Sequence, residues 1–487
     1  MKIQYILPLL WACLLTACSQ VHQPDGTVSR APKIFPDYTS VTLPPNIAPV
    51  NFEIQEKGDA YQTEIGCGNE VAIVLTDDRP TVDIPESDWH DLLEKAKGKT
   101  IFFRVSVLQA GKWMRYADIQ DTISTAPIDP VLVYRLLYPG YELWNEMGIY
   151  QRDLTSFEQT PVVENRNFGK MCVNCHNFAD HNPDTMMLHV RGKMGGTMII
   201  NGDQVKKVTP NPASFAHGAT YPSWRPGGRY IAYSANEIQQ FFHSAGKKPI
   251  EVSDLAADLM IYDTQTNTAF TDSLVYGNSY LETFPHWAPD GKTLYFCRSS
   301  HFREGMALDS IRYSLYRVQV DVTHHRMSHL ECVYDAEAKG TSVSFPRVSP
   351  DGKYVLFTQS NYGNFSIWHA ESDLYLLDIA TGKVRRLSEV DSKDVDSYHC
   401  WSTNGRWFVF SSKRLDGLWA RPFFASFDPK TGKASKPFLL PQKDPHFYDR
   451  FTLTFNVPEL IKGKIRKGKK IEHEINVQTA VQATEAQ

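Results

Sequence analysis

Phe345-Pro346-Arg347-Val348-Ser349-Pro350-Asp351-Gly352-Lys353, running on into the apolar Tyr354-Val355-Leu356-Phe357, is one of four related stretches that decide the fold. The others are Tyr221-Pro222-Ser223-Trp224-Arg225-Pro226-Gly227-Gly228-Arg229, Phe284-Pro285-His286-Trp287-Ala288-Pro289-Asp290-Gly291-Lys292 and the worn copy Tyr398-His399-Cys400-Trp401-Ser402-Thr403-Asn404-Gly405-Arg406. Their aligned glycines, Gly228, Gly291, Gly352 and Gly405, stand 63, 61 and 53 residues apart. In each copy an aromatic-led strand meets a turn in which Pro presets φ and Gly supplies positive φ, so the chain reverses into a second antiparallel strand. Another hairpin follows, clearest as Leu374-Tyr375-Leu376-Leu377-Asp378 turning at Thr381-Gly382-Lys383. Four strands repeated roughly every 50–60 residues predict the blades of a β-propeller.

The Pro-Asp-Gly copies closely resemble the repeats of the TolB-like propeller family across residues 172–456, a resemblance that implies about six blades. A fifth copy runs from Phe178 to Val190, with Pro183-Asp184-Thr185 in the turn slot, and reads as the first blade. The sixth is expected to be shared between the start of the array and the region after Phe447, where Phe451-Thr452-Leu453-Thr454-Phe455 reads as a strand. Upstream, short apolar runs at Val71–Leu75, Ile101–Val107 and Trp113–Tyr116 predict a small β-sandwich over residues 46–126, with Trp89 and Trp113 in its core. Residues 127–171 carry Tyr134, Tyr138, Tyr141, Trp144 and Tyr150, too apolar for a free linker, and are expected to pack between the two domains. The fold class is therefore all-β.

The chemistry concentrates in Cys172-Val173-Asn174-Cys175-His176. Two thiols at this spacing followed by histidine spell the attachment site of a c-type haem, in which the thiols add to the vinyl groups and the imidazole ligates iron. A CxxC pair also serves as a redox dithiol or as half of a zinc site, although no second CxxC or HxxxH completes a zinc set; a purely structural motif is the remaining alternative. The motif is expected just before the innermost strand of the first blade, near the central channel, on the face opposite the Pro-Asp-Gly turns. Pairing about the Pro183-Asp184 turn would return Arg191 beside His176. Hence His189 or Met194 is expected as the second axial ligand and Arg191 as a partner for a haem propionate. His217, His243, His301 and His369 belong to loops of the same face, while Met186, Met187 and Met198 read as strand core.

An export route precedes the motif. Lys2, the apolar run Ile3 to Leu15 and Leu15-Thr16-Ala17-Cys18 read as a signal peptide over residues 1–17. The last four residues resemble a bacterial lipobox, which implies lipidation of Cys18 and a Pro-, Ser- and Thr-rich tether over residues 18–45. The expected setting is the cell envelope, lipid-anchored at the outer membrane and facing the periplasm. The expected partners are the membrane, through the anchor, and a periplasmic redox or envelope protein. At 42% hydrophobic, 22% charged and net −4, nothing points to nucleic acid. The basic cluster Lys462, Lys464, Arg466, Lys467, Lys469 and Lys470 reads as a solvated tail over residues 457–487. Pairing among Cys67, Cys297, Cys332 and Cys400 stays open. No catalytic residues are assigned, since neither a G-x-S-x-G elbow nor an α/β domain accompanies the array. The chain reads as a haem c propeller for electron transfer or redox and small-ligand sensing, with a non-catalytic interaction scaffold as the alternative.

Overall fold

The computed structural model describes residues 21–138, 145–244, 248–300 and 306–486; the signal segment, Cys18, His301, Tyr141 and Trp144 lie outside them. Six sheets, each with four core strands, form the propeller. Blade 1 is Val173–Phe178, Thr185–Val190, Gly196–Asn201 and Gln204–Thr209, and blade 2 begins at Gly218–Trp224. Blades 3, 4 and 5 begin at Tyr280–Trp287, Ser342–Val348 and Asp396–Trp401. The turn chemistry is as the sequence predicts. Gly228, Gly291, Gly352 and Gly405 sit at φ of 70°, 63°, 71° and 62°. Their N–H groups donate to the carbonyls of Arg225, Ala288, Ser349 and Ser402 at 2.8–3.1 Å.

Blade 6 departs from expectation. Its innermost strand is Thr454–Ile461, which pairs antiparallel with Val131–Leu137, followed by Met147–Asp153 and Gln159–Glu164. The aromatic-rich segment 127–171 packs against both domains as expected, with Leu132, Tyr134, Leu136 and Leu154 in one apolar cluster with Trp89 and Phe103, but it also supplies three strands, so the array starts at Val131 rather than 172. The two ends of the array share one sheet, which closes the ring and removes the exposed edges an open array would present.

The expected solvated tail is also structured. Helix Gly468–Val477 buries Ile471 and Ile475, and Lys467 Nζ pairs with Asp184 at 3.0 Å. Val481–Gln482 and Thr484–Glu485 then add parallel strands to the outer edges of blades 1 and 2. Isoleucines at helical spacing, interleaved with the lysines, drive this docking by apolar burial.

The N-terminal domain has a seven-stranded sheet around Thr100–Gln109, a three-stranded sheet, and helix Glu86–Lys95. Gly26–Val28, Ile34–Phe35 and Thr42–Leu43 are strands of these sheets and Tyr38, Val41 and Leu43 are core, so this stretch is no tether. Trp89, on that helix, is fully buried and donates from Nε1 to the Ile47 carbonyl at 3.0 Å. Trp113 is not core; it is half-buried and stacks on His22 with centroids 4.7 Å apart. One apolar cluster runs from Trp89 and Phe103 through to Trp407 and Phe424 of blade 5. The connection Ala126–Pro130 docks on the blade 5 turn, where Asp129 accepts from Thr403 Oγ1 at 2.6 Å. This attachment uses the turn face and leaves the opposite face to the site. The six described cysteines after Cys18 are free; Cys297 and Cys400 are buried, Cys67 is half-buried and Cys332 exposed.

Candidate functional site

A cavity of about 550 Å³ opens at the mouth of the propeller, and Cys172, Cys175 and His176 are all part of its wall. The remaining wall comes from innermost strands and from loops between second and third strands: Ile238 and Ile250 of the long blade 2 hairpin, Phe365 to Trp368 of blade 4, Lys413 and Ala420 of blade 5. No residue of the N-terminal domain lines it among the described residues. The volume lies in the range of small-molecule and cofactor sites.

A distortion repeated six times brings the motif here. Every innermost strand has one non-glycine residue at positive φ: Cys175 (52°), Tyr221 (48°), Phe284 (53°), Phe345 (53°), Tyr398 (44°) and Val457 (48°). Each coincides with a β-bulge, since ladder pairing breaks between Asn174 and Asn177, Thr220 and Ser223, Thr283 and His286, Ser344 and Arg347, Ser397 and Cys400, and Asn456 and Glu459. Such a conformation costs an L-residue about 1–2 kcal/mol and is held by the surrounding sheet. The kink delivers four of the six side chains as an arc of rings: Tyr221–Phe284, Phe284–Phe345 and Phe345–Tyr398 have centroids 4.3, 4.4 and 4.6 Å apart. Cys175 therefore occupies the aromatic slot of blade 1. His176 occupies the following slot, held by Pro222, Pro285, Pro346 and Pro458 in four other blades and by His399 in blade 5.

His176 is 2% exposed; the Val457 and Val133 carbonyls lie near its ring, but neither nitrogen makes a hydrogen bond of normal geometry. Burial, aided by the Arg135 guanidinium, pulls its pKa down to about 3, while the Val457 and Val133 carbonyls pull weakly the other way. The ring is neutral at any physiological pH, the form that ligates metal. Burial pushes the Cys175 thiol up, against the opposing pull of Arg191. Cations dominate the charged part of the wall: Arg135, Arg191, Arg347 and Lys413 face one acid, Glu459. Glu459 is taken up by Arg347 at 3.4 Å and by Asn177 Nδ2 at 2.8 Å. Arg135 and Arg191 have no ion-pair partner among the described residues, and Arg135 Nε is buried without a hydrogen bond.

The structure moves several expected residues. The motif does not precede the innermost strand; Val173–Phe178 contains most of it. The bulge absorbs Cys175 and His176, so the register is Val173 with Val190 and Asn174 with His189, and the Arg191 N–H donates to the Cys172 carbonyl at 2.9 Å. Arg191 lines the cavity, beside Cys172 rather than His176. His189 is not in the wall; its Nδ1 meets Thr197 Oγ1 at 3.0 Å between strands of blade 1. Met194 also stays outside the wall, packed with Met171 and Cys172 against the blade core. His217, His243 and His369 do not line the cavity either; the last two sit beside Glu251 and Glu371. Met186, Met187 and Met198 are buried core.

Sequence reasoning missed Arg135, Arg347, His399, Lys413 and Asn456. One signal was present: Cys175-His176 and Val457-Pro458 align with Tyr221-Pro222 once blade 1 is allowed a turn three residues longer. The turn proline follows the slot residue by 8 positions in blade 1 (Cys175 to Pro183) and by 5 in blade 2 (Tyr221 to Pro226).

No protein-family model matches the chain. Over 195 residues, 39% of its length, it is 24% identical to dipeptidyl-peptidase 5 of Porphyromonas gingivalis. Over 177 residues, 31% of its length, it is 23% identical to an uncharacterized protein of Agrobacterium fabrum. These matches span 24% and 54% of the two relatives' own lengths. Among solved structures, hydrazine synthase of Kuenenia stuttgartiensis superposes with a TM-score of 0.42 at 13% identity, over 68% of this chain and 46% of that one.

Proposed function

We propose that the protein holds one c-type haem through Cys172 and Cys175, with His176 as an iron ligand, and serves electron transfer or redox and small-ligand sensing at the cell envelope. One observation carries the reading. Both thiols and the imidazole share the wall of a 550 Å³ cavity, and the imidazole is neutral and buried, with no well-aligned hydrogen bond at either nitrogen. A buried polar ring without a partner costs free energy unless something binds it.

The competing chemistries fit less well. A redox dithiol needs a thiol whose pKa is lowered, whereas burial raises that of Cys175. A zinc site needs further ligands, and no group of three or more His, Cys, Asp or Glu placed to hold a metal occurs among the described residues.

Bound haem would supply one-electron chemistry and a ligand site at iron. The chain's own contribution is distributed around the cavity. Cys172 and Cys175 would hold the group covalently, the rings of Tyr221, Phe284, Phe345 and Tyr398 give an apolar surface, and Arg135 and Arg191 would pair with carboxylates. Lipidation at Cys18, periplasmic exposure and an envelope redox partner complete the proposal.

Expression with a c-type maturation system, followed by haem-peroxidase staining of a denaturing gel, tests it. Wild type should stain, and Cys172→Ser and Cys175→Ser should each weaken or abolish the band, because each removes one thioether. An unstained, well-expressed wild type beside a stained control protein overturns the reading.

A further inference from the structure

The second and third strands of blade 2, Tyr230–Phe242 and Ile250–Asp263, run 13 and 14 residues, whereas their counterparts in blade 4, Tyr354–Ser360 and Asp373–Asp378, run 7 and 6. Aligned from Tyr230 and Tyr354, the blade 2 hairpin carries about 20 Å of extra strand. That extension is not core. Ile238, Ile250 and Val252 line the cavity, and none of them joins an apolar cluster of the blades among the described residues.

The extension is held at two levels by different chemistry. At its base Asp254, 1% exposed, accepts from Asn236 Nδ2 at 2.7 Å, from Tyr313 Oη at 3.2 Å and from Asn364 Nδ2. The ladder slips at the same level, between Glu237 and Ile238. Farther out the contacts are polar and partly exposed. Lys248 Nζ pairs with Glu371 of blade 4 at 2.9 Å and lies 4.1 Å from the centroid of the Tyr362 ring, whose hydroxyl donates to Glu251. These contacts pass over blade 3 and join the hairpin to the blade 4 loop, whose Phe365, Ile367 and Trp368 also line the cavity. A buried, fully bonded carboxylate is costly to pull free, while an exposed ion pair is weak and screened by salt. The base therefore holds where the outer contacts let go.

We propose that the outer half of the blade 2 hairpin is a gate over the cavity, pivoting above Asp254 and latched to blade 4 by Lys248, Glu251, Tyr362 and Glu371. Closed, it supplies an apolar wall; open, it widens the mouth for a molecule of cofactor size. The gate operates whichever group the CxxCH motif takes.

Thiol labelling of the full chain, made without haem maturation so that Cys172 and Cys175 stay free, tests this. Fluorescein maleimide, a planar reagent close to haem in size, is compared with the small iodoacetamide by peptide mass mapping, with exposed Cys332 as reference. Lys248→Ala and Tyr362→Phe should each raise the fluorescein-maleimide rate at Cys172 or Cys175, relative to Cys332, by about three- to tenfold. Iodoacetamide rates should hold steady, because that reagent needs no wider mouth. Salt at about 1 M screens the Lys248–Glu371 pair and should act on wild type in the same direction. Exchanging the pair, Lys248→Glu with Glu371→Lys, should return the rate towards that of wild type. Buried Cys297 and Cys400 stay unlabelled in a folded chain and expose a misfolded variant. An unchanged fluorescein-maleimide ratio in wild type at high salt and in folded Lys248→Ala overturns the gate, as does equal acceleration of both reagents. Failure of the chain to stain for haem would leave this result standing.

Discussion

Replacing Phe345 by Gly should destabilise the protein less than replacing it by Ala, the reverse of the usual order in a strand. Phe345 is 8% exposed, lies between Phe284 and Tyr398 at 4.4 and 4.6 Å, and has φ of 53°. Both substitutions remove the ring, at about 3–5 kcal/mol. The value should fall near 3, because the ring borders an existing cavity and its loss widens that cavity instead of creating a closed void. The backbone then separates the two variants. Ala retains the left-handed penalty of about 1–2 kcal/mol that Gly escapes, whereas Gly ordinarily costs a strand about 0.5–1 kcal/mol more than Ala through unfolded-state entropy. The difference favours Gly by roughly 0.5–1 kcal/mol. Urea unfolding followed by tryptophan fluorescence, with midpoints compared at equal slope, measures it. If Phe345→Gly unfolds at lower urea than Phe345→Ala, the six-fold kink is not a backbone constraint and the account of how Cys175 reaches the cavity fails with it.

Two further outcomes follow from other parts of the molecule. Cys18→Ala should abolish incorporation of labelled palmitate and release the protein from the membrane fraction, and equal labelling of wild type and variant refutes the anchor. Burial holds His399 at about 3, below the ordinary histidine value. As pH falls from 6.5 towards 3 the unfolded chain therefore takes up a proton that the folded chain refuses, and stability drops by about 1.4 kcal/mol per unit, roughly 2 kcal/mol at pH 5. His399→Gln should narrow the gap between urea midpoints at pH 7 and pH 5, and an unchanged gap refutes the assignment.

What the sequence by itself determined was local. A Pro-Asp-Gly turn is written in a few residues, because Pro and Gly restrict φ wherever they stand, so four blades and their turns were readable from Tyr221, Phe284, Phe345 and Tyr398 onward. The CxxCH motif was equally readable, its spacing being set by chemistry and not by fold. Tertiary structure decided what depended on distant partners. Val131–Leu137 became propeller because Thr454–Ile461, more than 300 residues later, offered it an edge, and no local pattern announces such a pairing. The longer turn at Ala179–Thr185 hid the slot of Cys175, and the bulge there turned His189 away while keeping Arg191 on the wall. Lys413 and Asn456 read as ordinary polar residues in sequence. Only the assembled ring buries them, Lys413 against Trp368 of blade 4 and Asn456 with its Oδ1 unmet, since burial and unmet hydrogen bonds belong to the assembled surface and not to any one strand.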